Sequence, residues 1–203
     1  LEAPGEIIEG DDPAAVGELL HNTLQAFFEP LLNEPLPAGL PDTMERIRLK
    51  DVFFTELDKS GLIESLPYHS LLMLRQGAPQ RLLRMLDAMP ETIVTALEES
   101  LCAALRPEGT HHLRQIQGRL DRIDQREHGC FILDYKTGSV PRPAVSLWDE
   151  DNPIWERMRV WSGEESDRDP DILADLAKEL KSVQLPVYTY LLIHGAGKDP
   201  YEA

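Results

Sequence analysis

Hydrophobic positions recur at helical spacing from Ala14 to about Leu32, where Val16, Leu19, Leu20, Leu24, Phe27 and Phe28 fall on one stripe. This predicts an amphipathic helix that Asp12 can cap, with Pro13 at its first position. Asn33 to Pro41 carries Pro35, Pro37 and Pro41 and predicts a loop. Asp42 to Lys50, roughly Ser60 to Leu74, and Pro79 to Met89 read as helices, so 42–89 is expected to be a helical insertion. The period changes after Pro90. Ile93 to Leu105 fits a kinked strand, and Pro107-Glu108-Gly109 can turn the chain into a second strand from His112. That second strand continues into the alternating run Gly118 to Asp124, which with Phe131 to Gly138 flanks the polar connector Gln125 to Gly129 and reads as a hairpin, giving a three-strand meander that ends at Lys136. The stretch 139–169 predicts an acidic irregular insert, and Asp171 to Lys181 a helix capped by Asp169 with Pro170 at its first position. A last helix holds Gln184 and Tyr188, with Pro186 tolerable only in its first turn. Periodicity alone therefore gives a mixture of α and β.

The length, 203 residues, suits a single domain spanning 1–203 with a sizeable core. The chain opens on Leu1-Glu2-Ala3-Pro4 without Met, so a segment of a longer protein is expected. No run approaches the ~18 apolar residues a membrane span needs, so no membrane partner is expected. Two cysteines, Cys102 and Cys130, make no disulfide framework and fit a reducing cytoplasm.

The second hairpin run carries candidate chemistry. Side chains alternate along a strand, so Asp134 and Lys136 share a face with Ile132, while Tyr135 points with Phe131 and Leu133. A core strand would normally carry Val or Leu at these positions; an acid beside an amine costs burial energy. Asp121 and Asp134 on neighbouring strands offer hard oxygen ligands for Mg or Mn, and Lys136 could orient or deprotonate a water. An ordinary surface hairpin with an Asp–Lys pair is the bland alternative. Asp124 lies an odd number of residues from Asp121 and should face the other side.

The net charge of −16 complicates any reading that involves DNA, because duplex binding depends on Lys and Arg displacing counterions. The acids cluster in Asp149-Glu150-Asp151 and Glu164-Glu165-Ser166-Asp167, whereas Arg114, Arg119, Arg122 and Arg126 concentrate around the hairpin. Those arginines read either as a solvated strand face or as backbone contacts. Trp148, Trp155 and Trp161 could stack bases, but the surrounding acids favour anchoring a loop to the core. The pair His111-His112 sits at a turn and reads as exposed.

Taken together, Gly118-x-x-Asp121-Arg122-Ile123-Asp124, Asp134-Tyr135-Lys136-Thr137-Gly138, Gln184-Leu185-Pro186-Val187-Tyr188 and Gly17-x-x-x-His21 resemble the motifs of the PD-(D/E)xK nuclease superfamily in the family's order. The likeness is to its RecB-like branch, which includes the nuclease domains at the C-termini of RecB and AddB proteins. It implies an α/β, restriction-endonuclease-like core with a mixed central β-sheet flanked by helices. It also implies metal-dependent hydrolysis of DNA, single- or double-stranded, in a repair or recombination protein that works with a helicase domain or subunit. His21, Asp121, Asp134 and the Tyr135 carbonyl would hold Mg or Mn, and Lys136 would position the attacking water. Gln184, Tyr188, Arg119 and Arg122 would bind or orient the substrate or Lys136. By itself His21 reads as a core histidine; the resemblance makes it a ligand. Glu98 and Glu99 fall where relatives often carry a strand glutamate. Some AddB-like relatives bind an iron–sulfur cluster through four cysteines, and with two present no cluster is expected in this segment. The competing classes are a non-catalytic nucleic-acid-binding or scaffold module with nuclease ancestry, and a small-substrate phosphohydrolase, against which the lack of a nucleotide-cradling glycine loop argues.

Overall fold

The computed structural model describes residues 13–39, 42–105, 114–138, 143–161 and 171–195. The features expected at Asp12, Pro107 to Gly109, His111-His112, Glu164 to Asp167 and Asp169-Pro170 lie outside these residues. The chain divides into two compact units, one of 1–139 with 191–203 and one of 140–190.

In the first unit, helix α1 (Pro13–Phe28) buries the whole stripe from Val16 to Phe28. Thr23 joins that stripe and meets its own need for a partner by donating to the Leu19 carbonyl at 2.7 Å. Asn33 to Pro41 is less irregular than its prolines suggest. Strand β1 (Pro35–Leu36) pairs antiparallel with Thr92 and Ile93, and a proline is tolerated there because β1 is an edge strand. Helix α2 (Thr43–Lys59) is capped by Asp42, which accepts from the Glu45 amide at 2.9 Å, and buries Leu49, Phe53 and Leu57. The two helices expected beyond it are differently cut. A short α3 (Leu62–Ser65) ends before Pro67, and α4 (Tyr68–Asp87) runs unbroken through Pro79. An internal proline costs about 3 kcal/mol; burial of Leu71, Leu74, Leu82, Leu83 and Leu86 along α4 offsets that. All four helices share one core with Leu36, Met89 and Val94.

The sheet is a meander of four strands in the order β1-β2-β3-β4, with β2 (Thr92–Leu105), β3 (Arg114–Arg126) and β4 (Gly129–Leu133). The architecture is the expected α/β one, a central sheet flanked by helices, and its pairings among the described residues are antiparallel. The hairpin connector is tighter than Gln125 to Gly129. Gln125 pairs with Cys130 and Arg126 with Gly129, which leaves Glu127 and His128 as the turn, and Gly129 supplies a φ of 126°. Strand β4 stops at Leu133, so Asp134 and Lys136 lie just past its end rather than within it.

In the second unit, the stretch expected to be irregular contains a 3-10 turn at Val145–Trp148 and helix α5 (Pro153–Trp161). Leu147, Ile154, Ile172 and Leu180 form its small core, joining α5 to α6 (Ile172–Leu180). Trp155 anchors the segment: its indole donates to the Leu147 carbonyl at 2.6 Å and stacks on Trp148. Helix α7 (Gln184–His194) starts in this unit with Pro186 in its first turn. No helix among the described residues is long and apolar enough to cross a membrane.

Candidate metal centre

Three chain segments distant in sequence meet on one side of the first unit. Burying Leu20 and Leu24 of α1 turns His21, between them in sequence, partly toward the sheet. On the sheet, Leu97 pairs with Arg122 and Glu99 with Leu120, so the register sets Glu98 across from Asp121. Glu98 has a φ of 50°, a left-handed conformation inside a strand, and β2 carries a register shift shortly before it, between Val94 and Ala96. Such a kink re-aims a side chain and costs a non-glycine residue about 1–2 kcal/mol. His21 Nδ1 lies 3.5 Å from Asp121 Oδ2 and 3.7 Å from Glu98 Oε1. One ligand atom from each of His21, Glu98 and Asp121 lies within 4.8 Å of the others.

The electrostatics of this cluster call for a cation. A carbonyl can only accept, so His21 Nε2 carries the proton in its 3.0 Å bond to the Tyr135 carbonyl. Nδ1 then faces the Asp121 and Glu98 carboxylates, so three ligand atoms converge on one spot, with Arg119 pairing the other Glu98 oxygen and the Tyr135 amide bonding Asp121. Burial pushes the Asp121 carboxyl above its ordinary 3.8, and the nearby Asp134 and Glu98 charges add to this. The Tyr135 amide, which donates to Asp121 Oδ2 at 2.7 Å, and His21 pull the other way. One imidazole and two carboxylates suit Mn well; Mg prefers oxygen alone. Asp134 sits outside the 4.8 Å group, close enough to act on Asp121, with its Oδ2 2.7 Å from Lys136 Nζ. Lys136 is 42% exposed and Asp134 9%, so the amine faces solvent over a largely covered acid.

Tyr135 ties these parts together. Besides its amide and carbonyl bonds, its ring meets the His21 ring edge-on at 5.7 Å, and its phenol oxygen accepts from Arg122 Nη1 at 3.5 Å. Burial pushes the phenol up to about 12, against the pull of Arg122. Arg122 is 1% exposed, paired with Asp124 through two nitrogens, one at 2.9 Å, and stacked 4.0 Å above the Phe28 ring. Burial works hardest against the guanidinium charge, yet Asp124 and Tyr135 together, through hydrogen bonds and charge, outweigh it and the pKa lies above its ordinary value.

The sequence-derived candidates therefore divide. His21, Asp121 and Tyr135 come together, with Asp134 and Lys136 beside them. Arg119 holds Glu98, its Nε 2.7 Å from Glu98 Oε2, and stays largely exposed. Arg122, expected at the substrate, is instead enclosed in the core by Phe28, Met89 and Asp124. Asp124 faces away from Asp121, fully buried between Arg122 and Arg126. Gln184 and Tyr188 lie on α7, joined by a 2.8 Å bond from Gln184 Nε2 to the Tyr188 hydroxyl. Glu98 is the residue that sequence reasoning raised but left level with Glu99, for only the β2–β3 register separates them. The neighbour of Gly17 is the Thr137 side chain, and an added Cβ would meet Thr137 Oγ1 at an ordinary 3.8 Å.

Comparison with known families agrees with this geometry. A family model described as the PD-(D/E)XK nuclease superfamily matches residues 2–152, well over half of the chain. The match includes His21, Glu98, Asp121, Asp134 and Lys136 and stops before Gln184. No curated protein matches the chain, and no solved structure matches it.

Proposed function

The chain belongs to the PD-(D/E)XK nuclease superfamily, and from that membership we propose that it is a divalent-metal-dependent deoxyribonuclease, the exonuclease module of a RecB-like repair or recombination protein. The observation that carries the reading is the convergence of His21 Nδ1 on the Asp121 and Glu98 carboxylates. His21, Asp121 and Glu98 would hold Mn or Mg, with Asp134 as a further ligand; the Tyr135 carbonyl, expected to be a ligand, instead accepts from His21 Nε2 and holds the ring from its other side. The ion supplies Lewis acidity, lowering the pKa of a water and offsetting charge on the phosphate. Lys136 orients that water, and Asp134, 2.7 Å away, holds the amine in place. Arg119 keeps Glu98 turned to the cluster and presents its guanidinium to the substrate's phosphates.

With a net charge of −16 the chain does not gather DNA by itself, so a helicase domain or subunit would deliver the strand. Two free thiols, Cys102 and Cys130, suit work in the cytoplasm. End-labelled linear DNA and closed circular DNA should be incubated in parallel with Mn, Mg and excess EDTA. Label is released from the linear substrate with either metal and from neither substrate in EDTA, and the circle survives. Undiminished cleavage in chelator would exclude the metal mechanism, and a nicked circle would replace exo- with endonuclease action.

A further inference from the structure

We infer that Tyr135 and Arg122 are positioning residues. The buried Arg122–Asp124 pair anchors the Tyr135 phenol, and Tyr135 pins the segment 134–136 against His21 and Asp121. The consequence for catalysis rests on the nuclease reading above; the pin itself does not. Pairing of β3 with β4 ends at Arg122 and Leu133, so the next three residues continue without ladder bonds from β3. Asp134 and Lys136 stand in this stretch, where a backbone would ordinarily wander. Tyr135, between them, contacts its surroundings through its amide to Asp121, its carbonyl to His21, its ring edge to the imidazole and its phenol to Arg122.

The last contact has a rigid base. Arg122 is held by two bonds to Asp124, by the Phe28 ring beneath it and by Met89 Sδ at 3.2 Å from Nη2. A guanidinium this enclosed has lost its rotamer freedom already, so it locates the phenol without further ordering. A salt bridge in the core is weak evidence for stability alone, because a well-packed apolar pair often serves as well. Its orientation toward Tyr135 gives it a purpose that an apolar pair would lack.

The test uses Tyr135→Phe, which deletes only the phenol oxygen, and the double variant Arg122→Met with Asp124→Leu. The double variant avoids the stranded charge that would unfold a single one, and Arg126, partly exposed, can turn to solvent. Amide hydrogen exchange across β3 and residues 134–137, Mn binding by the free protein, and melting temperature are measured for each. Both variants should exchange about three- to tenfold faster at 134–137, with the β3 amides unchanged, and bind Mn about three- to tenfold more weakly. Faster exchange spread evenly through β3, or a lower melting temperature with wild-type exchange at 134–137, would overturn the inference. If wild-type protein binds no Mn, the metal reading fails, and local exchange at 134–137 still decides for or against the pin.

Discussion

Replacing Glu98 with glycine should make the metal-free protein more stable and the enzyme inactive. Glu98 stands at φ 50° inside β2, a conformation that costs an L-residue about 1–2 kcal/mol and glycine nothing. Against that gain, glycine in a strand forfeits about 0.5–1 kcal/mol of chain entropy. The lost pair with Arg119, whose side chain is 63% exposed, contributes about 1 kcal/mol at most. Removing the carboxylate also relieves repulsion on Asp121, whose pKa the Glu98 charge helps to raise. The first three effects nearly cancel at mid-range, and the relieved repulsion tips the balance toward the variant by less than about 1 kcal/mol, or at most about 3 °C in Tm for a chain of this length. Glu98→Gln is the control, since it removes the charge and keeps the strained backbone, so its Tm in EDTA should stay nearer wild type. For both variants Mn affinity and cleavage should fall by more than the about 10–100-fold typical of residues that only support a ligand. Thermal unfolding in EDTA and in Mn, with cleavage of end-labelled DNA, reads all three quantities. A glycine variant less stable than wild type in EDTA would show that the kink is not held at a cost for the site. Retained cleavage in either variant would remove Glu98 from the metal cluster.

Lys136→Ala should leave stability within about 0.5 kcal/mol, since the amine is largely exposed, and lower kcat at least about a hundredfold; near wild-type kcat in a folded variant would reassign the water-positioning role. Gly17→Ala should raise stability by up to about 1 kcal/mol and keep cleavage, because its Cβ meets Thr137 at an ordinary distance; a drop in Tm would mean α1 and Thr137 pack more closely than that. The raised Asp121 pKa sets a pH dependence of known sign. Above 3.8 and up to the raised value, the native state binds more protons than the unfolded chain, so metal-free stability falls as pH rises through that window. Saturating Mn should flatten this fall, because the cation replaces the proton, and Mn affinity should decline as pH is lowered through the same window. A metal-free stability that climbs across the window in wild type but not in Asp121→Asn would refute the assignment.

Much of this was legible from residues alone, for reasons that are local. The α1 stripe, a helix beginning at Asp42, the β2–β3–β4 order and the even spacing of Asp134 and Lys136 all follow from periodicity and turn chemistry. Those act over a few residues and leave their mark in a few residues. Breakers misled where packing outweighed them: Pro79 rides inside α4 because apolar burial exceeds its cost, and Pro35 pairs because it lies at an edge. The segment 139–169 looked irregular for its acids, yet Leu147, Ile154 and Trp155 were enough to fold its described part. The choice between Glu98 and Glu99, however, depended on the β2–β3 register, in which one residue of slip exchanges the faces. Arg122 bore the same charge as Arg119 and the same motif-level expectation. Only the three-dimensional packing of Phe28, Met89 and Asp124 around it took it out of solvent, since burial is a property of neighbours that sequence separation conceals.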